Sequence, residues 1–219
     1  MPILLASCSG PLSSLDPATE ATARIADLWW VMLVAAVVIL AGVMVLFLWT
    51  FKEGRGSGRV SPRVFLLGGG LIFPMVTLTA LLVYALGFGQ WLLPRPSEEV
   101  VRVEARGQQW WWEFTHWDED GEPVRVANEL HLPAGRPIEV TVVSADVIHS
   151  FWVPRLAGKL DAVPGHVNVL RIDPAEPGTY AGVCAEFCGL EHAGMRFTTI
   201  VHPAEDYARA LAEAAAAEQ

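Results

Sequence analysis

Residues 28–51 read LWWVMLVAAVVILAGVMVLFLWTF, a run of 24 residues without a charged side chain. As an α-helix at ~1.5 Å per residue, this run would be about 36 Å long, which exceeds the roughly 30 Å of a bilayer's hydrocarbon core. Trp29, Trp30 and Trp49 stand near its two ends, where aromatic residues favour the membrane interface. The run therefore predicts a membrane-spanning helix.

A second uncharged run extends from Val64 to Pro94 and predicts another span over about residues 64–90. It contains Gly68-Gly69-Gly70 and Pro74, residue types that membrane helices tolerate better than soluble helices do. The glycines either form a helix-packing face or reflect membrane composition.

The connection between the two runs is basic, because Lys52, Arg55, Arg59 and Arg63 stand against the single acid Glu53. The positive-inside rule places this loop in the cytoplasm. Both termini then lie outside, and the part of the chain after the second run lies in the periplasm or an equivalent compartment.

Residues 5–8 read LASC and resemble a lipobox, at which bacterial lipoproteins are cleaved and acylated on the cysteine. The match is incomplete, since residues 1–5 are too short for the hydrophobic region of a signal peptide. Either the true start lies upstream or the thiol of Cys8 is incidental, and lipidation is the favoured interpretation.

The whole chain is 53% hydrophobic and 18% charged, with a mean hydropathy of +0.37. This composition excludes disordered, collagen-like and nucleic-acid-binding classes. Residues 97–219 nevertheless carry 20 acidic and nine basic side chains, a net charge of −11. Such a surface either keeps the domain soluble or steers a basic protein partner. We divide the chain into an N-terminal segment (1–27), a membrane hairpin (28–94) and an outer domain (95–219).

The outer domain has an all-β pattern, in which short β-branched and aromatic runs alternate with Gly, Pro and Asp turns. The clearest alternation is in residues 138–142 (IEVTV), whose aliphatic side chains share one face. The pattern predicts an antiparallel sandwich or small barrel, followed by a helix over residues 204–218 that packs through Tyr207 and Leu211. The predicted strands are 100–105, 109–115, 124–132, 137–143, 167–172, 179–184 and 195–201.

The densest chemical signal is in residues 184–195, CAEFCGLEHAGM. Two thiols, an imidazole and a thioether come from Cys184, Cys188, His192 and Met195. Soft sulfur donors with imidazole select copper or zinc over magnesium or calcium, and an added methionine favours copper. His149, within residues 146–152 (DVIHSFW), follows a predicted strand and is placed to complete the site from a neighbouring loop.

Several kinds of site use some of these residues. A disulfide between Cys184 and Cys188 would leave His192 and Met195 without a role. A structural zinc ion would leave Met195 unused, and a single blue-copper ion would leave one cysteine over. Two copper ions bridged by two thiolates use both cysteines, both histidines and the methionine, so we predict a copper site of this kind.

With these motifs, the chain resembles subunit II of the haem–copper cytochrome c oxidases, whose exposed domain has a cupredoxin fold that holds the binuclear copper centre CuA. The resemblance extends over nearly the whole chain. It implies an N-terminal two-helix transmembrane hairpin, then an all-β, cupredoxin-like Greek-key domain with a C-terminal helix. Besides the hairpin, it rests on residues 107–112 (GQQWWW), 128–133 (NELHLP), 146–154, 159–165 (KLDAVPG) and 184–195.

The resemblance implies a respiratory function. Such a subunit accepts electrons from cytochrome c at CuA and passes them to the haems of subunit I, where oxygen is reduced to water. The implied partners are subunit I, other oxidase subunits, cytochrome c and the membrane, with no nucleic acid. The implied location is a bacterial inner (cell) membrane, with the copper domain on the periplasmic side.

The resemblance also implies roles for single residues. Cys184 and Cys188 bridge the two coppers, and His149 and His192 each cap one ion. Met195 is the weak thioether ligand.

Glu186 is implied to supply its backbone carbonyl to copper, while its side chain reaches a magnesium or manganese ion at the boundary with subunit I. Trp110 stands where this family has the exposed tryptophan that accepts electrons. Since Trp110, Trp111 and Trp112 alternate faces in a strand, one or two of these rings are also expected in the core, Trp111 among them. Structural or surface roles are assigned to His116, His131, His166 and His202.

Two departures from the family limit what the resemblance implies. No acidic residue lies between Arg63 and Pro94, where many relatives carry a glutamate at the mouth of a proton path, so that role is not assigned. No haem-binding Cys-x-x-Cys-His domain follows the copper motif, which implies a separate electron donor. The alternative functions are the corresponding subunit of a CuA-type nitric oxide reductase, or the copper-free structural subunit of a quinol oxidase.

Overall fold

The computed structural model describes residues 8–51, 61–89, 100–118 and 120–217. The chain divides into two compact units, one of Asp27–Trp91 and the other of Met1–Ala26 with Leu92–Gln219.

The first unit contains two long apolar helices, as the sequence predicts. Helix α1 is Glu20–Thr50, and the second helix is π-helical over Val64–Ile72 before it continues as α2, Phe73–Gly89. Both are long and apolar enough to cross a membrane. The glycines at 68–70 lie in the π-helical part, and no described atom comes within 4 Å of a Cβ added at any of them. The basic residues at 52, 55 and 59 lie outside the described residues.

Helix α1 begins before the uncharged run because Thr19 and Thr22 cap it. The Thr22 N–H donates to Thr19 Oγ1 at 3.3 Å, and the Thr19 N–H donates to Thr22 Oγ1 at 3.2 Å. This reciprocal pair is a capping box. Hydrophobicity locates the part of a helix that crosses a membrane, whereas caps locate its end, so the helix extends beyond the predicted span.

The second unit is built on a sandwich of two five-stranded sheets, in the orders β3-β2-β1-β5-β8 and β4-β10-β9-β6-β7. The all-β prediction is therefore confirmed. The strands are β1 Val101–Gln108, β2 Trp111–Trp117, β3 Pro123–Ala127, β4 Glu129–Pro133, β5 Ile138–Ser144, β6 His149–Trp152, β7 Leu160–Ala162, β8 Asn168–Ile172, β9 Gly178–Cys184 and β10 Arg196–His202.

Two strand pairs are parallel, β1 with β5 and β4 with β10. The expectation of a purely antiparallel arrangement was wrong in this detail. Parallel neighbours need a long crossover connection, and the chain between β1 and β5 contains three other strands. Side-chain alternation within a strand carries no information about that crossover.

The predicted strand 124–132 is two strands, because the chain turns at Asn128. Its φ is +56°, a left-handed conformation that asparagine tolerates better than most residues. The Asn128 side-chain oxygen accepts a hydrogen bond from the Trp112 N–H at 2.9 Å, which holds the turn against β2. This break moves the chain from one sheet to the other.

The core between the sheets is aromatic. The ring centroids of Trp112, Phe114, Phe151 and Phe197 lie between 5.1 and 6.5 Å apart. A Cβ added at Gly182 would lie 2.2 Å from the Phe197 ring, so only glycine fits there. The three aliphatic residues of 138–142 are buried as predicted. Of the three consecutive tryptophans, Trp112 is the fully buried ring, and the other two are half-buried.

Helix α3, Tyr207–Ala217, follows β10 and contacts β3 and β4. It begins after residue 204 because Asp206 donates its N–H to the Pro203 carbonyl at 2.9 Å, which forms a turn. Leu211 is buried, in agreement with the predicted packing face, and Tyr207 is half-buried.

Three histidines form a cluster between β2, β4 and β10, and we call it the histidine cluster. His131 Nδ1 lies 2.9 Å from His202 Nε2, and the His116 and His131 ring centroids are 5.9 Å apart. His116 is fully buried, and neither of its ring nitrogens has a hydrogen-bond partner within the described part of the chain. Glu129 Oε2 lies 3.7 Å from His131 Nε2. His166 is exposed elsewhere.

The start of α1 binds the loop after β6, and we call this contact the N-terminal clasp. Thr19 Oγ1 donates to the Leu156 carbonyl at 2.8 Å, and Thr22 Oγ1 donates to the Arg155 carbonyl at 3.0 Å. The Arg155 guanidinium lies 3.2 Å from the Asp16 carboxylate. Both threonines are buried, so residues at the start of α1 complete the surface of the β-domain.

Candidate metal centre

Sulfur and imidazole side chains converge at one end of the sandwich. His149 is the first residue of β6, Cys184 is the last of β9, and residues 185–195 form the loop that follows. Strands β6 and β9 are antiparallel neighbours, with Phe151 opposite Cys184, so strand pairing brings the two side chains together. A Cβ at Gly107 would lie 3.0 Å from the His149 ring, so this glycine makes room for the imidazole.

Each thiol has its own imidazole neighbour. His149 Nδ1 lies 3.9 Å from Cys184 Sγ, and His192 Nδ1 lies 3.6 Å from Cys188 Sγ. The two sulfur atoms are 3.8 Å apart, and Met195 Sδ lies 3.7 Å from Cys188 Sγ. The structure thus brings together the five side chains that the sequence motifs single out.

These distances fit a metal site better than a disulfide. Cys184 and Cys188 are free thiols, and a sulfur–sulfur bond would be only about 2.05 Å long. With metal–sulfur bonds of ~2.3 Å and metal–nitrogen bonds of ~2.0 Å at tetrahedral angles, two sulfur ligands lie about 3.8 Å apart and a sulfur and a nitrogen about 3.5 Å. The donor atoms of His149, Cys184 and Cys188 all lie within 4.8 Å of one another. Soft donors of this kind favour copper or zinc.

The two thiols differ in acidity. Burial alone would raise the pKa of Cys184, but hydrogen bonding, chiefly with His149, outweighs it and lowers that pKa to about 6. Burial and the neighbouring charge of Cys184 raise the pKa of Cys188 to about 12. Because metals bind thiolates, the lowered pKa of Cys184 favours metal binding there.

Asp146 orients His149. The His149 Nε2 lies 2.7 Å from Asp146 Oδ1, which leaves Nδ1 facing Cys184. Burial would lower the pKa of His149, but hydrogen bonds with Cys184 and Asp146 raise it overall. Burial would raise the pKa of Asp146, but hydrogen bonds from His149 and from the Gln109 and Val147 backbone lower it. A carboxylate behind an imidazole is a common second partner of a metal-bound histidine.

Glu186 and Met195 present different groups to the site. The Glu186 backbone carbonyl lies 3.2 Å from Cys184 Sγ, whereas the residue is exposed. The Met195 side chain is fully enclosed, at 1% exposure. The site therefore combines a buried thioether with a backbone oxygen whose own side chain faces outward.

Trp110 lies against the loop that carries the sulfur ligands. Its Nε1–H donates to the Cys188 carbonyl at 3.3 Å, and the residue is half-buried. Gln109 Nε2 donates to the same carbonyl at 2.7 Å.

Sequence reasoning did not find the roles of Asp146 and Gln109, although both stand in the quoted motifs. An acid three residues before a candidate histidine ligand was a usable signal for Asp146. Nothing in the sequence places Gln109 beside Cys188, because the two residues are 79 positions apart.

Comparisons with known proteins identify the family of this chain. The family described as "Cytochrome C oxidase subunit II, periplasmic domain" matches residues 119–202. The alternative cytochrome c oxidase subunit 2 of Bradyrhizobium diazoefficiens is 31% identical over 206 residues, which cover 82% of this chain and 74% of that protein. The chain belongs to the cytochrome c oxidase subunit 2 family.

Two further members of the subunit 2 family match about half of this chain. The Thermostichus vulcanus protein is 44% identical over 105 residues, 48% of this chain and 31% of its own length. The chain spans about a third of the length of the first curated relatives that it matches. The crystal structure of the periplasmic domain of subunit II of cytochrome oxidase from Bradyrhizobium japonicum has a TM-score of 0.51 and 28% identity, covering 56% of this chain and 96% of that one.

The predicted family and fold class are confirmed. This chain has two apolar N-terminal helices, a β-rich domain that resembles the subunit II periplasmic domain, and a C-terminal helix. Family membership implies copper, a membrane anchor and a periplasmic domain.

Proposed function

We propose that this subunit accepts electrons from cytochrome c at a binuclear copper centre and passes them to the haems of subunit I, where oxygen is reduced to water. The observation that carries the proposal is the pairing of each thiol with a different imidazole, His149 with Cys184 and His192 with Cys188. A single tetrahedral ion needs only four ligands, whereas this site offers two thiols, two imidazoles, a thioether and a carbonyl oxygen.

The chain's own side chains would hold two copper ions. Cys184 and Cys188 would supply thiolates to both ions, His149 and His192 would each bind one of them, and Met195 would be the weak ligand. When bound, such a centre supplies one-electron chemistry with the change of charge spread over two metals. One sheet fixes the geometry, because His149 begins β6, Cys184 ends β9, and the other donors lie on the loop between β9 and β10.

Glu186 has two proposed roles. Its backbone carbonyl, 3.2 Å from Cys184 Sγ, supplies a further oxygen donor. Its exposed carboxylate binds a magnesium or manganese ion shared with subunit I, since hard divalent ions prefer oxygen ligands.

Trp110 is the residue through which electrons enter. Its half-buried ring reaches from the surface to the Cys188 carbonyl, so it links a docked donor to a ligand residue. Phe187 and Leu190 on the ligand loop are 74% and 92% exposed and offer apolar contact to that donor. The net charge of −11 over residues 97–219 attracts a basic cytochrome c to this domain.

The proposed location is a bacterial inner membrane, with the copper domain on the periplasmic side and subunit I as the membrane partner. Cys184, Cys188 and Met195 are all buried at the site, which favours a copper-binding subunit over the copper-free quinol oxidase subunit. A nitric oxide reductase would use the same copper centre with a different large subunit. Identifying the haems and the large subunit that copurify with this chain separates those two reactions.

The binuclear centre is tested by copper analysis and electron paramagnetic resonance of the purified full chain. We expect two coppers per chain and the spectrum of a delocalised mixed-valence pair. Cys188→Ser should abolish the pair, whereas Cys8→Ser, which removes a thiol outside the site, should leave it intact. One copper per chain with a mononuclear hyperfine pattern would contradict the proposal.

A further inference from the structure

Gln109 connects the loop that carries Asp146 to the loop that carries the sulfur ligands. Its backbone N–H donates to Asp146 Oδ2 at 2.7 Å, and its side-chain Nε2 donates to the Cys188 carbonyl at 2.7 Å. Asp146 uses its other oxygen to hold His149, also at 2.7 Å. One residue at the end of β1 is therefore bonded both to the loop before β6 and to the loop after β9.

The carbonyl that Gln109 binds is also the one that Trp110 reaches. Gln109 Nε2 lies 2.7 Å from the Cys188 oxygen, whereas Trp110 Nε1 lies 3.3 Å from it, so Gln109 makes the closer contact. Gln109 and Trp110 donate to the same Cys188 oxygen. A displacement of Gln109 would therefore also move the oxygen that accepts the hydrogen bond from the Trp110 indole.

The backbone after Cys188 packs directly on both side chains. Gly189 has a φ of +126°, and a Cβ added there would lie 3.0 Å from Gln109 Nε2 and 3.1 Å from Trp110 Nε1. Only a residue without a side chain permits this approach. This close packing places the side chains of Gln109 and Trp110 directly against the backbone of the loop that carries the sulfur ligands.

We propose that Gln109 is a positioning residue that holds the Trp110 ring against Cys188, and that its neutral amide donor is required for this. The inference rests on the proposed function, since it assigns Gln109 to the path by which electrons enter. A carboxamide donates through its nitrogen, whereas a carboxylate offers only acceptors. Gln109→Glu keeps the size of the side chain but sets an acceptor against the Cys188 carbonyl. Gln109→Met keeps the shape and removes the donor without adding charge.

The first test uses the copper-free full chain labelled with 5-fluorotryptophan. The fluorine resonance of Trp110 is assigned by its loss in Trp110→Phe. We expect both Gln109 variants to shift this resonance and to increase its broadening by a soluble paramagnetic agent. Gln108→Glu is the matched control, because it adds the same charge at the adjacent residue, which makes no side-chain hydrogen bond within the described part of the chain. It should leave the resonance in place.

The second test measures reduction of the copper-loaded full chain by cytochrome c in a stopped-flow instrument. Loss of one hydrogen bond should slow electron uptake by about two- to tenfold in both Gln109 variants. Copper content and the paramagnetic resonance spectrum should stay unchanged, because no ligand is altered.

The outcomes separate this inference from the proposed function. An unshifted Trp110 resonance in both variants would overturn the role of Gln109, whatever the copper result. A shift of equal size in Gln108→Glu would also overturn it, because local charge would then explain the effect. A shifted resonance in a chain that binds no copper pair would support the positioning role and reject the binuclear centre.

Discussion

His116 should make the β-domain sensitive to acid. The side chain is fully buried in the histidine cluster, and its two ring nitrogens have no hydrogen-bond partner among the described residues. Burial, together with repulsion from His131, lowers the pKa of His116 from 6.5 to about 3. Between those two values the unfolded chain binds a proton that the folded chain does not bind. The contribution of His116 to the free energy of unfolding is therefore fully present above pH 6.5 and is lost as the pH falls below that value.

The size of the effect follows from proton linkage. Each pH unit between the two pKa values removes about 1.4 kcal/mol from the free energy of unfolding. For a pKa of about 3 in the folded state, about 2–3 kcal/mol should be lost between pH 7 and pH 4.5. His116→Phe removes the titrating group and keeps a ring of similar shape. From pH 7 to pH 4.5, the variant should therefore lose less free energy of unfolding than the unaltered chain, and the difference should be the loss attributed to His116.

The measurement is urea unfolding of the copper-free full chain in detergent under reducing conditions, followed by tryptophan fluorescence at pH 7 and pH 4.5. The control is His166→Phe, which removes an exposed imidazole and should unfold with the pH dependence of the unaltered chain. If His116→Phe loses as much stability on acidification as the unaltered chain, the reasoning from burial is refuted.

Three other outcomes are expected. Trp110→Gln should keep its copper and slow electron uptake by orders of magnitude. If Trp110 were instead a core residue, its loss would lower the free energy of unfolding by about 3–5 kcal/mol. Stopped-flow reduction, measured together with the melting temperature, distinguishes the two. Turnover with a basic cytochrome c should fall steeply as added salt shortens the Debye length from about 10 Å to about 3 Å, and turnover that ignores salt would reject electrostatic docking. Gly182→Ala should destabilise the domain by about 1–3 kcal/mol, because its Cβ would meet the Phe197 ring; an unchanged unfolding midpoint in urea would contradict this.

Much of the fold could be predicted because the relevant signals are local. The uncharged runs gave both helices, and the alternation in residues 138–142 gave the buried face of β5. The two parallel pairs could not be predicted, since they depend on which strands meet after the chain changes sheets. The break at Asn128 depends on one backbone angle, and the short strands β6 and β7 are too brief for a period to be recognised.

The candidate site likewise has residues that local sequence predicts and hydrogen bonds that depend on the fold. Four of its donor side chains lie within residues 184–195, so spacing and donor chemistry alone could suggest them. His149 could be added from its position after a strand. The hydrogen bonds from Gln109 to Asp146 and to Cys188 could not be predicted, because they join the ends of strands that only the folded sandwich brings together.

The N-terminal clasp makes the β-domain discontinuous in the chain. Thr19 and the Leu156 carbonyl that it binds are separated by 137 positions, and both membrane-spanning segments lie between them. The ribosome therefore releases one half of the contact before either membrane helix exists, and the other half only after about half of the β-domain has been synthesised. Because the entropic cost of closing a loop grows with the logarithm of its length, this contact should form late, after the hairpin has entered the bilayer. A chain that began at residue 97 would fold without that step and would leave the Arg155 and Leu156 carbonyls to water.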